Sequence, residues 1–264
     1  MPTLGTPELI LALGLPASCR VDQRVPKKLL LENGAPTATD KRLITEAIEE
    51  IQWVAALKPN TIGIPDYHDE LREYLEIAVL VVTLRSQSGH GKAKPVNAVR
   101  LAELVHRAVP YPVLLLLRSE QRLTLSLAHK RWAQNEAGKM VLDGNLVSAS
   151  LPEDTPSPDA TYAFLQDVAL TRQPRSTLFG LYQGWMDSVQ ALLAAKLTGT
   201  FKAADSPEQA SARRHALREC DRLEAEAARL RTQAGKEKQL ARQVELNLAL
   251  KRVLAQLAAA REQL

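Results

Sequence analysis

Four side chains with metal-binding potential stand together before the first strongly apolar segment: Asp66, His68, Asp69 and Glu70. Carboxylate and imidazole groups bind divalent cations, but zinc sites usually need three or four committed nitrogen or sulfur ligands. This cluster has one histidine and no second ligand pair at helical spacing. It is interpreted as a solvated charged turn, and neither a metal nor a cofactor is predicted.

A second set of acids concerns nuclease chemistry. Residues 95–170 are expected to form a helix, three strands and a helix, an order that resembles the core of the PD-(D/E)xK nucleases. Those enzymes need acids on the second and third strands, and a lysine, to hold a metal and polarise water. Here the second strand carries Thr124 and Ser126 in place of an acid, and Asp143 on the third strand is not followed by Glu-x-Lys. No catalytic residue is predicted. A divergent metal-dependent nuclease using Glu73, Glu76 and Asp143 is kept as an alternative.

The glycine-flanked loop Gly89-His90-Gly91-Lys92 is the nearest approach to a phosphate-binding motif. It lacks the Gly-x-x-x-x-Gly-Lys-Ser/Thr pattern of a P-loop, and no Gly-x-Gly-x-x-Gly follows a strand. The Gly-x-Ser-x-Gly elbow of serine hydrolases is also absent. The loop is interpreted as a surface loop, with Lys92 as a candidate phosphate contact.

Basic residues recur near predicted turns, and the chain has a net charge of +4. A face that gathers them would contact nucleic-acid phosphates. Because the net charge is modest and aromatic residues make up only 4% of the chain, ordinary solvated surface is the favoured interpretation. The candidate contacts are Arg24, Lys27, Lys28, Lys41, Arg42, Lys92, Lys130 and Arg131.

Hydrophobic patterning predicts an α/β (α+β) body with a small mixed β-sheet of about four strands. Residues 77–84 are continuously apolar, which is typical of a strand buried on both faces. A helix and a second buried strand follow, forming a βαβ unit with parallel neighbours. Ahead of it, Ile44, Ile48, Ile51 and Val54 recur at helical spacing and predict one helix that ends at Pro59. Residues 60–65 are expected to be extended.

A charged helical tail follows the predicted α/β body. The expected boundaries are 1–198 for the body, 199–207 for a linker and 208–264 for a coiled-coil-like arm. Gly235 either turns the arm into a hairpin or is tolerated within one helix at about 1 kcal/mol. The predicted partner-binding seam comprises Leu240, Val244, Asn247, Leu250, Leu254 and Leu257. Such a seam would bind another protein or a second copy of the chain.

Two further features concern the compartment. No apolar stretch reaches the ~18 residues of a membrane span, and the N-terminus lacks a signal-like segment. Cys19 and Cys220 are far apart in sequence and are expected to be free thiols. A cytoplasmic protein that does not enter a membrane is therefore expected.

A series of motifs along nearly the whole chain resembles the bacterial family catalogued as domain of unknown function 4391. The motifs, in order, are Val25-Pro26-Lys27-Lys28-Leu29, Asp40-Lys41-Arg42-Leu43-Ile44, Ile51-Gln52-Trp53, Leu57-Lys58-Pro59-Asn60-Thr61-Ile62, Val109-Pro110-Tyr111-Pro112, Ala128-His129-Lys130-Arg131, Leu181-Tyr182 and the run from Lys236 to Asn247. The resemblance implies a protein often encoded beside DNA methyltransferases and helicases in restriction or phage-defence loci. It implies no catalytic residues.

These observations favour a non-enzymatic accessory or assembly subunit of a bacterial DNA-modification or antiphage complex. Its arm would bind a protein partner, such as a helicase or a DNA methyltransferase, and its basic turns are candidates for DNA contact. The divergent nuclease is the first alternative. A toxin or inhibitor module acting on a host factor is the second.

Overall fold

The computed structural model describes residues 5–86, 96–120, 122–134, 136, 138–152 and 154–264. The strands are β1 (Arg20–Arg24), β2 (Ile48–Leu57), β3 (Tyr67–His68), β4 (Glu73–Tyr74), β5 (Ile77–Leu84), β6 (Val113–Arg118), β7 (Leu123–Trp132) and β8 (Met140–Leu151). The helices are α1 (Thr6–Ala12), α2 (Lys27–Asn33), α3 (Ala38–Ala47), α4 (Pro59–Ile62), α5 (Ala98–Ala108), α6 (Pro158–Asp167), α7 (Leu178–Thr198), α8 (Pro207–Lys236) and α9 (Leu240–Arg261).

Six strands form one mixed sheet in the order β1-β2-β5-β6-β7-β8. Strands β5 and β6 are parallel and are joined through α5, whereas the other neighbouring pairs are antiparallel. The predicted mixed α/β class and its βαβ unit are therefore confirmed. The sheet has six strands rather than the expected four or so, because the sequence predicts a basic segment at β1 and a helix at β2.

Strand β2 explains that error. Helix α3 ends at Ala47, and Ile48, Ile51 and Val54 lie on the strand. The pairing of β2 with β5 skips one residue between Ile48 and Glu50 and another between Trp53 and Ala55. Each extra residue is a β-bulge that shifts the side-chain alternation. Ile48 and Ile51 thus reach the same core three residues apart, which mimics helical spacing. The expectation for residues 60–65 was also wrong at its start, where α4 forms one helical turn.

Helices cover both faces of the sheet, which gives two hydrophobic cores. On one face α1, α6 and α7 contribute Leu9, Phe164 and Trp185 to the core. On the other face α2, α3 and α5 contribute their apolar sides, including Ile44 and Leu104. Strands β5 and β6 alternate between the two cores, so they are apolar throughout.

The hydroxyl group of Tyr182 links α7 to the sheet where β6 and β7 separate. Regular pairing of these strands stops at Leu115 and Ser126. Beyond it, the buried Tyr182 hydroxyl accepts a hydrogen bond from Ala128 N at 2.9 Å and donates to Val113 O at 2.8 Å. One side-chain oxygen therefore satisfies backbone groups of two strands.

The polar side of β7 is also buried, because α5 covers it. Ser126 Oγ lies 3.1 Å from His106 Nε2, and both residues are fully buried. Burial lowers the pKa of His106 to about 3. The ammonium group of Lys130 reaches the end of α5 and donates to the carbonyl groups of His106 and Val109. Burial lowers the pKa of Lys130 to about 7.

Over the described residues, every helix is too short or too polar to cross a membrane.

Candidate functional site

Helices α8 and α9 form an antiparallel hairpin, called here the helical arm (residues 207–261). The chain reverses between Lys236 and Leu240. Near the base of the arm Cys220 and Leu223 pack against Leu257, and Arg261 Nη2 lies 2.7 Å from Glu224 Oε1. Gly235 belongs to the last turn of α8, so it does not itself make the reversal.

A chain of polar contacts anchors the base of the arm to the α/β body. Arg214 Nη1 on α8 lies 2.7 Å from Asp187 Oδ1 on α7, which also accepts from Gln183 Nε2 at 2.9 Å. Gln183 Oε1 lies 2.8 Å from His129 Nε2, and His129 Nδ1 lies 2.5 Å from the Tyr74 hydroxyl. Because burial lowers the pKa of His129, the ring is neutral, so one ring nitrogen donates a hydrogen bond and the other accepts one. The arm is thus connected to β7 and β4.

The predicted partner-binding residues divide between two sides of α9. Leu257 is buried against α8, and Leu250 is half-buried. Leu240, Val244, Asn247 and Leu254 are exposed instead. Sequence periodicity indicated one seam, but the helix has apolar residues on two faces, and the pattern could not separate them.

An apolar surface therefore remains uncovered on the outside of α9. We call it the outer stripe and define it as Leu240, Val244, Leu248 and Leu254, whose exposed fractions are 75%, 50%, 53% and 37%. Leu248 was not predicted, although its spacing of four residues from Val244 was an available signal. The charged residues of α9 are the basic Arg242, Lys251, Arg252 and Arg261 and the acidic Glu245. The stripe thus lies on a basic helix.

Among the described residues, the candidate nucleic-acid contacts lie on four elements, β1, α2, α3 and β7. Arg24, Lys27 and Lys28 follow one another at the end of β1 and the start of α2, near Arg85. Lys27 Nζ and Arg85 Nε both donate to Ile48 O, and burial lowers the pKa of Lys27.

The other described candidates lie on α3 and β7. Lys41 and Arg42 are exposed on α3, where Arg42 pairs with Glu46 at 2.7 Å. Arg131 is the penultimate residue of β7, and its Nε lies 3.8 Å from Asp143 Oδ1. Lys130 points inward, so its ammonium is not presented to a ligand. Lys92 and its loop lie outside the described residues.

Each acid of the nuclease hypothesis faces a basic side chain. Glu73 Oε1 lies 3.7 Å from His68 Nδ1, and Glu76 Oε2 lies 2.9 Å from Lys58 Nζ. Asp143 Oδ2 accepts from Arg72 Nη2 at 2.5 Å. The residues described, including the early cluster around Asp66, contain no group of three or more His, Cys, Asp or Glu side chains placed to hold a metal ion.

Comparison with known proteins identifies a protein family. The family model described as a domain of unknown function (DUF4391) matches residues 13–257. No curated protein and no solved structure matches the chain. Since the match covers nearly the whole chain, the protein belongs to the DUF4391 family.

Proposed function

We propose that the protein is a non-enzymatic accessory subunit of a bacterial DNA-modification or antiphage complex, and that its helical arm binds a protein partner. The observation that carries this proposal is the outer stripe. Large apolar side chains that stay exposed in a row mark interaction surfaces more often than they mark ordinary surface. The link to DNA modification rests on the family resemblance given by the sequence motifs.

The spacing of the stripe suits one mode of recognition. Leu240, Val244 and Leu248 follow each other at four-residue intervals on one face of α9. Residues at this spacing act as anchors when a helix lies in an apolar groove. Leu254 lies nearer the base of the arm, about 40° around the helix from Leu240.

Charge indicates which kind of partner fits. Lys251 lies on the same face as the stripe, and neither it nor Arg252 forms an ion pair within the described part of the chain. Two copies of such a basic helix would repel each other, whereas a groove with an acidic rim would attract it. The partner is therefore a different protein with an apolar, acid-rimmed groove.

The test compares the native complexes of matched variants. Tagged wild-type protein is purified from its host, and co-purifying helicases and DNA methyltransferases are quantified. Leu240→Glu with Val244→Glu should abolish their recovery. Thr232→Glu with Gln256→Glu adds the same charge at exposed arm positions away from the stripe and should leave recovery unchanged. Equal recovery of the same partner with both pairs would refute the proposal.

Point variants are preferable to removal of the arm. Deleting residues 206–264 would strip Arg214 from Asp187 and uncover the side of α7 against which α8 packs. The resulting loss of binding would not separate a missing partner surface from a destabilised body. DNA contact is not included in the proposed function, because among the described candidates Lys130 is buried and Arg42 and Arg131 each face a carboxylate.

A further inference from the structure

A groove crosses the sheet beneath α1, away from the helical arm. Its cavity has a volume of about 510 Å³, which is within the usual range for a small-molecule site, roughly 300–1,000 Å³. Residues of α1 and its following turn form one wall, and β1, β2, β5 and β6 form the floor. The polar lining consists of Thr6, Arg20, Glu50, Gln52, Thr83 and Arg118.

The groove lies at a position where α/β sheets commonly bind ligands. Thr83 is the penultimate residue of β5, and Arg118 is the last residue of β6, the strand parallel to it. Ligands of open α/β sheets bind at the carboxyl ends of parallel strands. Both side chains therefore line the cavity at this end of the parallel pair.

Arg118 provides an uncompensated positive charge. Its Nη2 donates to Thr83 Oγ1 at 3.0 Å, and the side chain is exposed. Over the described residues no carboxylate lies within ion-pair distance of it. A guanidinium in this state has free N–H groups in the fork geometry that matches phosphate oxygens.

A backbone irregularity positions the second arginine. The pairing of β1 with β2 shifts between Arg20 and Gln23, and Asp22 has a φ of 50°. A non-glycine residue with this φ is uncommon, and such strain is often found at functional sites. The bulge lets Asp22 hold Arg20 through two hydrogen bonds of 2.8 and 3.2 Å. Arg20 is therefore held in place at the cavity wall.

The remaining lining suits an organic ligand with hydroxyl groups. Glu50 and Gln52 offer hydrogen-bonding groups on β2, and Glu50 lies 3.5 Å from Arg24. Ile10, Leu15 and Val54 supply apolar surface. Arg20 thus has a carboxylate partner in Asp22, and the charge of Arg118 remains for the ligand.

We propose that this groove binds a nucleoside phosphate, either as a free nucleotide or as one unit of a single nucleic-acid strand. Arg118 binds the phosphate, Glu50 and Gln52 face the sugar and base edges, and the apolar wall contacts the base. This inference is independent of the partner-binding function of the arm.

Calorimetric titration of the full-length protein tests the proposal with four probes: AMP, adenosine, inorganic phosphate and an oligothymidylate of about ten nucleotides. AMP or the oligonucleotide should bind with a Kd of about 1 mM or tighter, and adenosine more weakly. Arg118→Gln should reduce affinity about 10-fold or more, since it removes a charge-assisted contact. Arg229→Gln removes an equal charge from α8 and should have no effect.

A second pair of variants keeps the fold intact, because Leu11 at the groove mouth is 81% exposed. Leu11→Glu should repel the phosphate, whereas Leu11→Gln should not. Tighter binding of AMP than of the oligonucleotide identifies a free nucleotide, and the reverse identifies a strand. Absence of binding by both probes, equal binding of adenosine and AMP, or affinity unchanged in both Arg118→Gln and Leu11→Glu would overturn the proposal.

Discussion

Replacing Tyr182 by Phe removes one oxygen atom from the contact between α7 and the sheet. The aromatic ring remains and still packs in the core under α7. What is lost is the side-chain oxygen that accepts from Ala128 N and donates to Val113 O. Val113 and Ala128 are 0% and 1% exposed, so water does not reach these groups without local opening.

The cost follows from the groups left behind. A buried backbone donor or acceptor without a partner costs about 1–3 kcal/mol. Two groups are affected, and the loss of one oxygen leaves little empty volume. We expect the free energy of unfolding to fall by about 2–4 kcal/mol. For a domain of this size that corresponds to a decrease in Tm of roughly 5–12 °C.

Urea denaturation followed by circular dichroism measures this difference. Tyr162→Phe is the matched control, because Tyr162 is 66% exposed and its change should stay within about 0.5 kcal/mol. If Tyr182→Phe also stayed within that margin, the hydroxyl group would not be what satisfies the ends of β6 and β7.

Further predictions concern backbone space and titration. Gly34→Ala should lower the free energy of unfolding by about 1–3 kcal/mol, because a Cβ would lie 2.5 Å from Leu104 O. Gly235→Ala has open space around the new Cβ and should raise the free energy of unfolding by about 0.5–1 kcal/mol. Urea titrations in which the two changes have the same sign would contradict this. Arg100 holds the pKa of Asp40 at about 2, below its ordinary 3.8. Asp40 therefore stabilises the fold above about pH 4, and this contribution is lost as the pH falls towards 2. In Asp40→Asn, the free energy of unfolding should fall less over this pH interval than in the wild type. Burial lowers the pKa of Lys130 from 10.5 to about 7. The contribution of Lys130 to the free energy of unfolding is therefore fully present above pH 10.5 and is lost as the pH falls to about 7. The free energy of unfolding of Lys130→Met should depend less on pH over this interval, and an unchanged slope would contradict the lowered pKa.

The parts of the fold that follow simple periodicity could be predicted from sequence. The apolar run 77–84 and the strand at 113–117 were recognised, because strands buried on both faces have no polar alternation. Sequence periodicity does not predict strand β2, because the bulge between Ile48 and Glu50 places Ile48 and Ile51 on one face three residues apart. A bulge depends on the neighbouring strand, so a single segment of sequence contains no direct sign of it.

The candidate sites were less predictable for a related reason. The predicted seam of α9 divides into a covered and an exposed part, because only the contact with α8 decides which apolar face of α9 is buried. Lys130 lies between the half-buried basic residues His129 and Arg131, and its own burial depends on carbonyl acceptors that α5 provides. The groove under α1 gave no motif, since Arg20, Thr83 and Arg118 come from three strands that meet only in the sheet.

The anchored hairpin acts mechanically as a lever. From Arg214 to Lys236, α8 extends about 33 Å beyond its ionic anchor, so a rotation of about 10° at the base displaces the tip by roughly 6 Å. Leu240 and Val244 lie near the tip, where displacement is greatest, and Leu254 lies nearer the pivot. A force that a partner applies at the tip would act as a larger force on the contacts of Asp187 and His129, which lie close to the pivot. Load on the arm would thereby be transmitted to β7 and β4.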